Sequence, residues 1–144
     1  MIVGFAVSLV LIAATILIHY EALRLTSLGL AELALPVHAR ILVVLTTSIA
    51  SHCIHITLYA VAYMGLHQIG GYGTIGGAEQ LGFLDAFYFS ITSYTTLGIG
   101  DLFPHGALRI ISGFEALNGL VMVGWTASMT YLAMEKFWHL PPKR

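Results

Sequence analysis

Charge is what this sequence has least of. Six Lys and Arg and seven Asp and Glu among 144 residues make it 9% charged against 58% hydrophobic, and its mean hydropathy is +0.86. Soluble domains carry roughly 25% charged residues, so the composition is that of a membrane protein. A formal net charge of −1 leaves no basic surface for nucleic acid. The one cysteine, Cys53, excludes an intrachain disulfide, and its place in an apolar run suggests a small core residue. Arginine recurs at every third position in none of the apolar runs, which excludes a voltage-sensing helix of that kind.

What the chain has instead is length without charge. Crossing a hydrocarbon layer of ~30 Å takes ~20 residues of helix at ~1.5 Å each. Three uncharged runs approach or exceed that length, at 1–18, 41–66 and 110–134, with Glu115 the one charged residue inside them. The first has neither a basic n-region nor an Ala-x-Ala cleavage site, so it reads as a retained membrane helix rather than a signal peptide. Lys and Arg favour the cytoplasmic side of a membrane. Three crossings put Arg24, Arg40, Lys136, Lys143 and Arg144 on one side and Arg109 on the other, giving an outside N-terminus and a cytoplasmic C-terminus.

The stretch between the second and third runs, 65–109, is too long for a turn and too apolar for a solvated loop. Its first part, "GLHQIGGYGTIGGAEQ", reads as irregular surface chain. Its second, "FLDAFYFSITSYT" at 83–95, has no Gly or Pro and carries Asp85 in the first turn of an expected helix. Such a helix would reach only ~20 Å, too short to cross the bilayer, but it could enter and return. Non-helical backbone at that depth is tolerated only inside protein or beside water, because lipid offers no hydrogen-bond partners. The "TLGIGD" that follows at 96–101 therefore implies a pore or cavity. The triplet Gly71-Tyr72-Gly73 has no supporting helix before it, and five of the eight residues from Gly70 to Gly77 are glycine, so it reflects glycine density rather than an ion site.

From 83 to about 134 the order of short helix, loop and long apolar run resembles the pore domain of tetrameric potassium channels. In "TTLGIGD" and the "LFP" after it, Thr95, Thr96, Gly98, Gly100, Asp101 and Pro104 match the family pattern Thr-Thr-Val-Gly-Tyr-Gly-Asp and its aromatic-Pro turn. Leu97 and Ile99 stand where Val and Tyr are usual. The resemblance implies an all-α membrane protein with three transmembrane helices and a re-entrant pore helix and filter between the last two, assembled as a fourfold tetramer. It implies a passive potassium-selective channel and no enzyme, with potassium bound at the filter carbonyls and no other cofactor. The partners expected are potassium ions, the lipid bilayer and further copies of the chain, without nucleic acid, in a prokaryotic plasma membrane.

The same resemblance assigns residues. Thr96, Leu97, Gly98, Ile99 and Gly100 would coordinate the ion, and Gly98 and Gly100 can take positive φ at little steric cost. Asp101 would sit at the outer mouth, and Gly119 would be the inner-helix hinge, or simply a small residue for close packing; apart from the resemblance, Thr92, Thr95 and Glu115 are expected to support the filter. Ile99 lacks a bracing phenol, which makes a non-selective cation channel the alternative. The expected segments are a membrane helix at 1–20, a cytoplasmic connection at 21–40, an outer helix at 41–66, a Gly-rich extracellular loop at 67–82, a pore helix at 83–95, a filter at 96–101, an outer mouth at 102–109, an inner helix at 110–134 and a cytoplasmic tail at 135–144.

Two polar features remain. Glu115 facing lipid would cost about 3 kcal/mol, so it should face protein and reach Thr92, Ser93 or another hydroxyl behind the filter. Seven histidines are many for this length, and His52 and His55 stand at i, i+3 on one helical face with Ser48 and Tyr59. That pair offers two ligands to a metal or haem; with two alone, the favoured reading is a polar stripe in which hydroxyls or carbonyls satisfy each imidazole.

Overall fold

The computed structural model describes residues 1–32 and 35–138. They form α1 (Ile2–Glu32), α2 (Val37–Ile69), β1 (Ile75–Gly76), α3 (Phe83–Tyr94), β2 (Phe103–Pro104) and α4 (Leu108–Trp138). Helices α1, α2 and α4 are each long and apolar enough to cross a membrane. Helix α3 has 12 residues, about 18 Å, and is too short to do so.

Helix α1 continues well beyond residue 20, so most of the connection expected at 21–40 is helical. Charge ends an apolar run but need not end a helix. Glu21 and Arg24 pair across one turn at 2.8 Å, Leu23 and Leu30 are buried, and the first proline is Pro36, at the N-cap of α2. Lys143 and Arg144, which entered the orientation argument, lie outside the described residues.

The buried stripe of α1 is Gly4, Ser8, Thr15, His19, Leu23 and Leu30, at helical spacing. Gly4 brings α1 against the start of α4, where a Cβ would lie 2.8 Å from the Ala107 carbonyl oxygen. Asn118 of α4 donates to Thr15 Oγ1 at 2.8 Å and to the Tyr59 hydroxyl at 3.3 Å, tying α1, α2 and α4 together in their apolar interior. Around α3, Phe89 packs in one cluster with Tyr59, Tyr63, Ile75, Leu108 and Ile111. Tyr94 packs in a second with Ile56 and Met122. Cys53, expected in the core, is exposed on α2, since the buried face of that helix is taken by Ser51, His55 and Ile56.

The Gly-rich stretch is not simply irregular. Strand β1 pairs antiparallel with β2, Ile75 opposite Pro104 and Gly76 opposite Phe103. His105 N–H donates to the Thr74 carbonyl and Ala107 N–H to the Tyr72 carbonyl, both at 2.7 Å. This strap lies too close to the chain after the loop for side chains: a Cβ on Gly77 would be 2.0 Å from the Asp101 carbonyl oxygen, and one on Gly73 2.2 Å from that of His105. The triplet at 71–73 thus belongs to the strap.

Candidate functional site: the re-entrant helix and its loop

Helix α3 starts where the Gly82 N–H donates to Asp85 Oδ2 at 2.9 Å, satisfying a backbone group that helix geometry leaves open. It ends at Tyr94, and its last carbonyls capture the chain beyond. Thr96 N–H donates to the Ser93 carbonyl at 3.0 Å and Gly98 N–H to that of Thr92 at 3.1 Å.

The loop then alternates in hand. Thr96, Gly98 and Gly100 have φ of 59°, 56° and 89°, while Leu97 and Ile99 keep negative φ. For Thr96, a β-branched residue, this is a strained conformation costing about 1–3 kcal/mol. A Cβ on Gly98 or Gly100 would meet no atom within 4 Å, so these glycines are required by conformation and not by crowding. Residues 95–101 are all exposed, Leu97 to 64% and Ile99 to 58%.

Asp101 follows the loop. Its Oδ1 accepts from Leu102 N–H at 2.9 Å. The Asp101 carboxylate beside the phenol of Tyr88 on α3 holds the phenol pKa above its ordinary value. Sequence reasoning missed Tyr88, because no helical spacing joins it to a loop residue thirteen positions later.

Glu115 is fully buried. Ser90 Oγ donates to its Oε1 and the Tyr63 hydroxyl to its Oε2, each at 2.5 Å. The named partners Thr92 and Ser93 are not the ones it takes. Thr92 Oγ1 donates to the Phe89 carbonyl at 2.9 Å, and Ser93 Oγ meets Ser112 Oγ at 3.1 Å. Successive helical residues turn by ~100°, so Thr92 is rotated away from the face that presents Ser90 to α4. Thr92 touches the loop through its carbonyl, and Thr95 Oγ1 donates back to the Ile91 carbonyl at 2.7 Å.

Gly119 is buried where α4 crosses the end of α3, and a Cβ there would fall 2.0 Å from the Tyr94 carbonyl oxygen. Gly113 and Gly124 have open space. Helix α4 runs through Gly119 without a break.

His52 and His55 have a third companion, His19 of α1. His19 Nδ1 meets Ser51 Oγ at 3.1 Å, and Ser51 Oγ meets His55 Nε2 at 3.3 Å. The Tyr94 hydroxyl joins His55 Nδ1 at 3.0 Å and His52 Nδ1 at 2.9 Å. Thr126 Oγ1 joins His52 Nε2 at 2.9 Å and His19 Nε2 at 3.2 Å. Every ring nitrogen thus has a hydroxyl, and every hydroxyl bridges two rings, closing a cycle that draws on all four helices. The hydroxyl-satisfied stripe is therefore present, enlarged by one histidine. The sequence reading leaves His19 at the membrane interface with Glu21 and Arg24, because it stands at the apparent end of a span and nothing local reports which helix will pack against it; in the structure it is fully buried.

Two spans, a short helix between them that does not cross, and an exposed loop of alternating hand define the pore domain of a membrane channel. The chain belongs to the ion-channel family, whose model, described as "Ion channel", matches residues 41–136; this is a family of channels and not of enzymes. Over 75 residues, 51% of this chain and 24% of the relative, it is 35% identical to inward rectifier potassium channel Kirbac3.1 of Paramagnetospirillum magnetotacticum. Over 51 residues, 35% of this chain and 14% of the relative, it is 41% identical to two-pore potassium channel 1 of Arabidopsis thaliana. The matched segments cover a quarter or less of the length of these relatives. No solved structure gives a significant match.

Proposed function

We propose that this chain is one of four subunits of a potassium-selective channel that conducts passively across a cell membrane. The observation carrying the reading is the alternation of hand at Thr96, Gly98 and Gly100, anchored by the Gly98 N–H on the last turn of α3. Alternating hand turns successive carbonyls to the same side. Four copies around an axis then stack the oxygens of Thr96, Leu97, Gly98, Ile99 and Gly100 into rings that replace the hydration shell of an ion. The exposure of the loop in a single chain supports such an assembly, because bare carbonyls at membrane depth need water, ion or protein. Both relatives described above are named as potassium channels.

The rest of the site serves that filter. The C-terminal end of α3, near Tyr94, carries a partial negative charge of about half an electron and favours a dehydrating cation in the cavity. Asp101 attracts cations at the outer mouth. Tyr88 braces its outer end and the Glu115–Ser90–Tyr63 group its rear, in place of the phenol that Ile99 lacks. Gly119, packed on the Tyr94 carbonyl, makes any bend of the inner helix felt at the end of the pore helix. The Lys and Arg distribution supports an outside N-terminus and a cytoplasmic C-terminus.

Flux into liposomes containing the purified protein, under potassium and then sodium gradients, tests the proposal, with Gly98→Asp as the control. Potassium flux well above sodium, abolished by the control, is the expected result. Equal fluxes would make the pore a non-selective cation channel, and no flux would refute conduction.

A further inference from the structure

We propose that His19, His52 and His55 form a binding site for a divalent first-row transition metal, zinc foremost, where α1, α2, the end of α3 and α4 meet. One ring nitrogen of each lies within 4.8 Å of those of the other two. Tetrahedral zinc with ligand nitrogens at ~2.0–2.1 Å sets them ~3.4 Å apart, so closing on the ion takes a contraction of at most about 1.4 Å in any pair. Changes of that size lie within reach of imidazole rotation about χ1 and χ2.

The surroundings have the composition such a site needs. Imidazole is a ligand shared by zinc, copper, nickel and iron, whereas oxygen-preferring magnesium and calcium are disfavoured. Metal-bound imidazoles donate their second ring N–H to a neighbouring oxygen, which fixes ring orientation. Here three rings share three hydroxyls, from Ser51, Tyr94 and Thr126, and every ring nitrogen has one of them in reach. When an ion takes one nitrogen from each ring, the other still has a hydroxyl to hold it. The fourth position falls to the Tyr94 hydroxyl, already between His52 and His55, or to water. His52 is part-exposed, which gives an entry path.

The site is distinct from the pore loop, and metal binding does not depend on what the pore conducts. It would fasten α1 to α2 beside Tyr94, two residues before Thr96, and so place a metal-responsive clamp behind the loop.

The test uses the full chain in lipid nanodiscs at neutral pH in a Cys53→Ser background, stripped with chelator and then offered zinc, with cobalt as the spectroscopic probe. The expected result is one zinc per chain and the visible absorption of tetrahedral cobalt. His19→Ala and His52→Ala should each weaken zinc binding at least the ~100-fold that loss of an outer-shell partner can cause, while His105→Ala changes nothing. Because the alanine variants remove hydrogen bonds as well as ligands, His55→Cys is the second arm: it should keep the metal and add a thiolate-to-cobalt charge-transfer band. Failure of the wild type to bind zinc, unchanged binding in both alanine variants, or a cobalt-bound cysteine variant without that band would each overturn the proposal.

Discussion

Ser90 Oγ donates to Glu115 Oε1 at 2.5 Å, and the same hydroxyl lies 2.9 Å from the Ile56 carbonyl. One serine of the pore helix therefore touches both long helices that flank it. Glu115 collects a second hydroxyl, from Tyr63, and all three side chains are buried. Glu115→Ala would leave the buried Tyr63 hydroxyl without its acceptor, at about 1–3 kcal/mol, while Ser90 keeps the Ile56 carbonyl. It should lower the thermal stability of the purified protein clearly and reduce the ratio of potassium to sodium flux. Glu115→Gln keeps an acceptor and a donor at the site and should lose much less. Equal melting temperatures for wild type and Glu115→Ala would remove this brace from the account.

How much of this was legible in the sequence depends on the range of the signal. The uncharged runs, the short helix without Gly or Pro and the glycines at alternate positions of 96–100 are local patterns, and local patterns fix helices and left-handed backbone. The partners of Glu115 needed the rotation of one helix against another, which turned Ser90 inward and left Thr92 to act through its carbonyl. His19 joining His52 and His55 is likewise a packing outcome between α1 and α2. The strap was hidden for the opposite reason: glycine density signals flexibility in sequence, yet Gly73 and Gly77 are there because backbone passes within contact distance.

Gly119 separates close packing from mere helix content. A methyl group added there meets the Tyr94 carbonyl, which belongs to backbone and cannot rotate away. Gly119→Ala should destabilise by about 1–3 kcal/mol as overpacking does, and displace the end of the pore helix. Gly113→Ala and Gly124→Ala meet no atom of the same chain and serve as controls. The check is potassium flux together with the melting temperature of all three. Gly119→Ala behaving like the two controls would mean that α4 stands further from Tyr94 than this packing requires.

The strap offers a test at the outer mouth. Gly77 has φ of 101° and no room for a Cβ beside the Asp101 carbonyl, whereas Gly71, with φ of 76°, has open space. Gly71→Ala should lose about 1–2 kcal/mol from the left-handed backbone alone. Gly77→Ala adds a clash and should also disturb Asp101, seen as a larger drop in stability and a changed ratio of potassium to sodium flux. Identical behaviour of the two variants would show that the strap does not hold the mouth.

Tyr88 and Asp101 yield a prediction in pH. The interaction with the carboxylate raises the phenol pKa, so its contribution is fully present below the ordinary tyrosine value of about 10 and is lost as pH rises through the raised value. Tyrosinate absorbance of the wild type minus that of Tyr88→Phe isolates this one phenol among the seven tyrosines. The difference curve should titrate above the ordinary value, and Asp101→Asn should bring it back down by removing the charge that opposes ionisation. Tyr88→Phe should in addition leave Asp101 with the Leu102 N–H alone and weaken the outer brace, lowering the ratio of potassium to sodium flux at neutral pH. A difference curve at the ordinary tyrosine value, with unchanged flux ratios, would leave Asp101 without its brace from the pore helix.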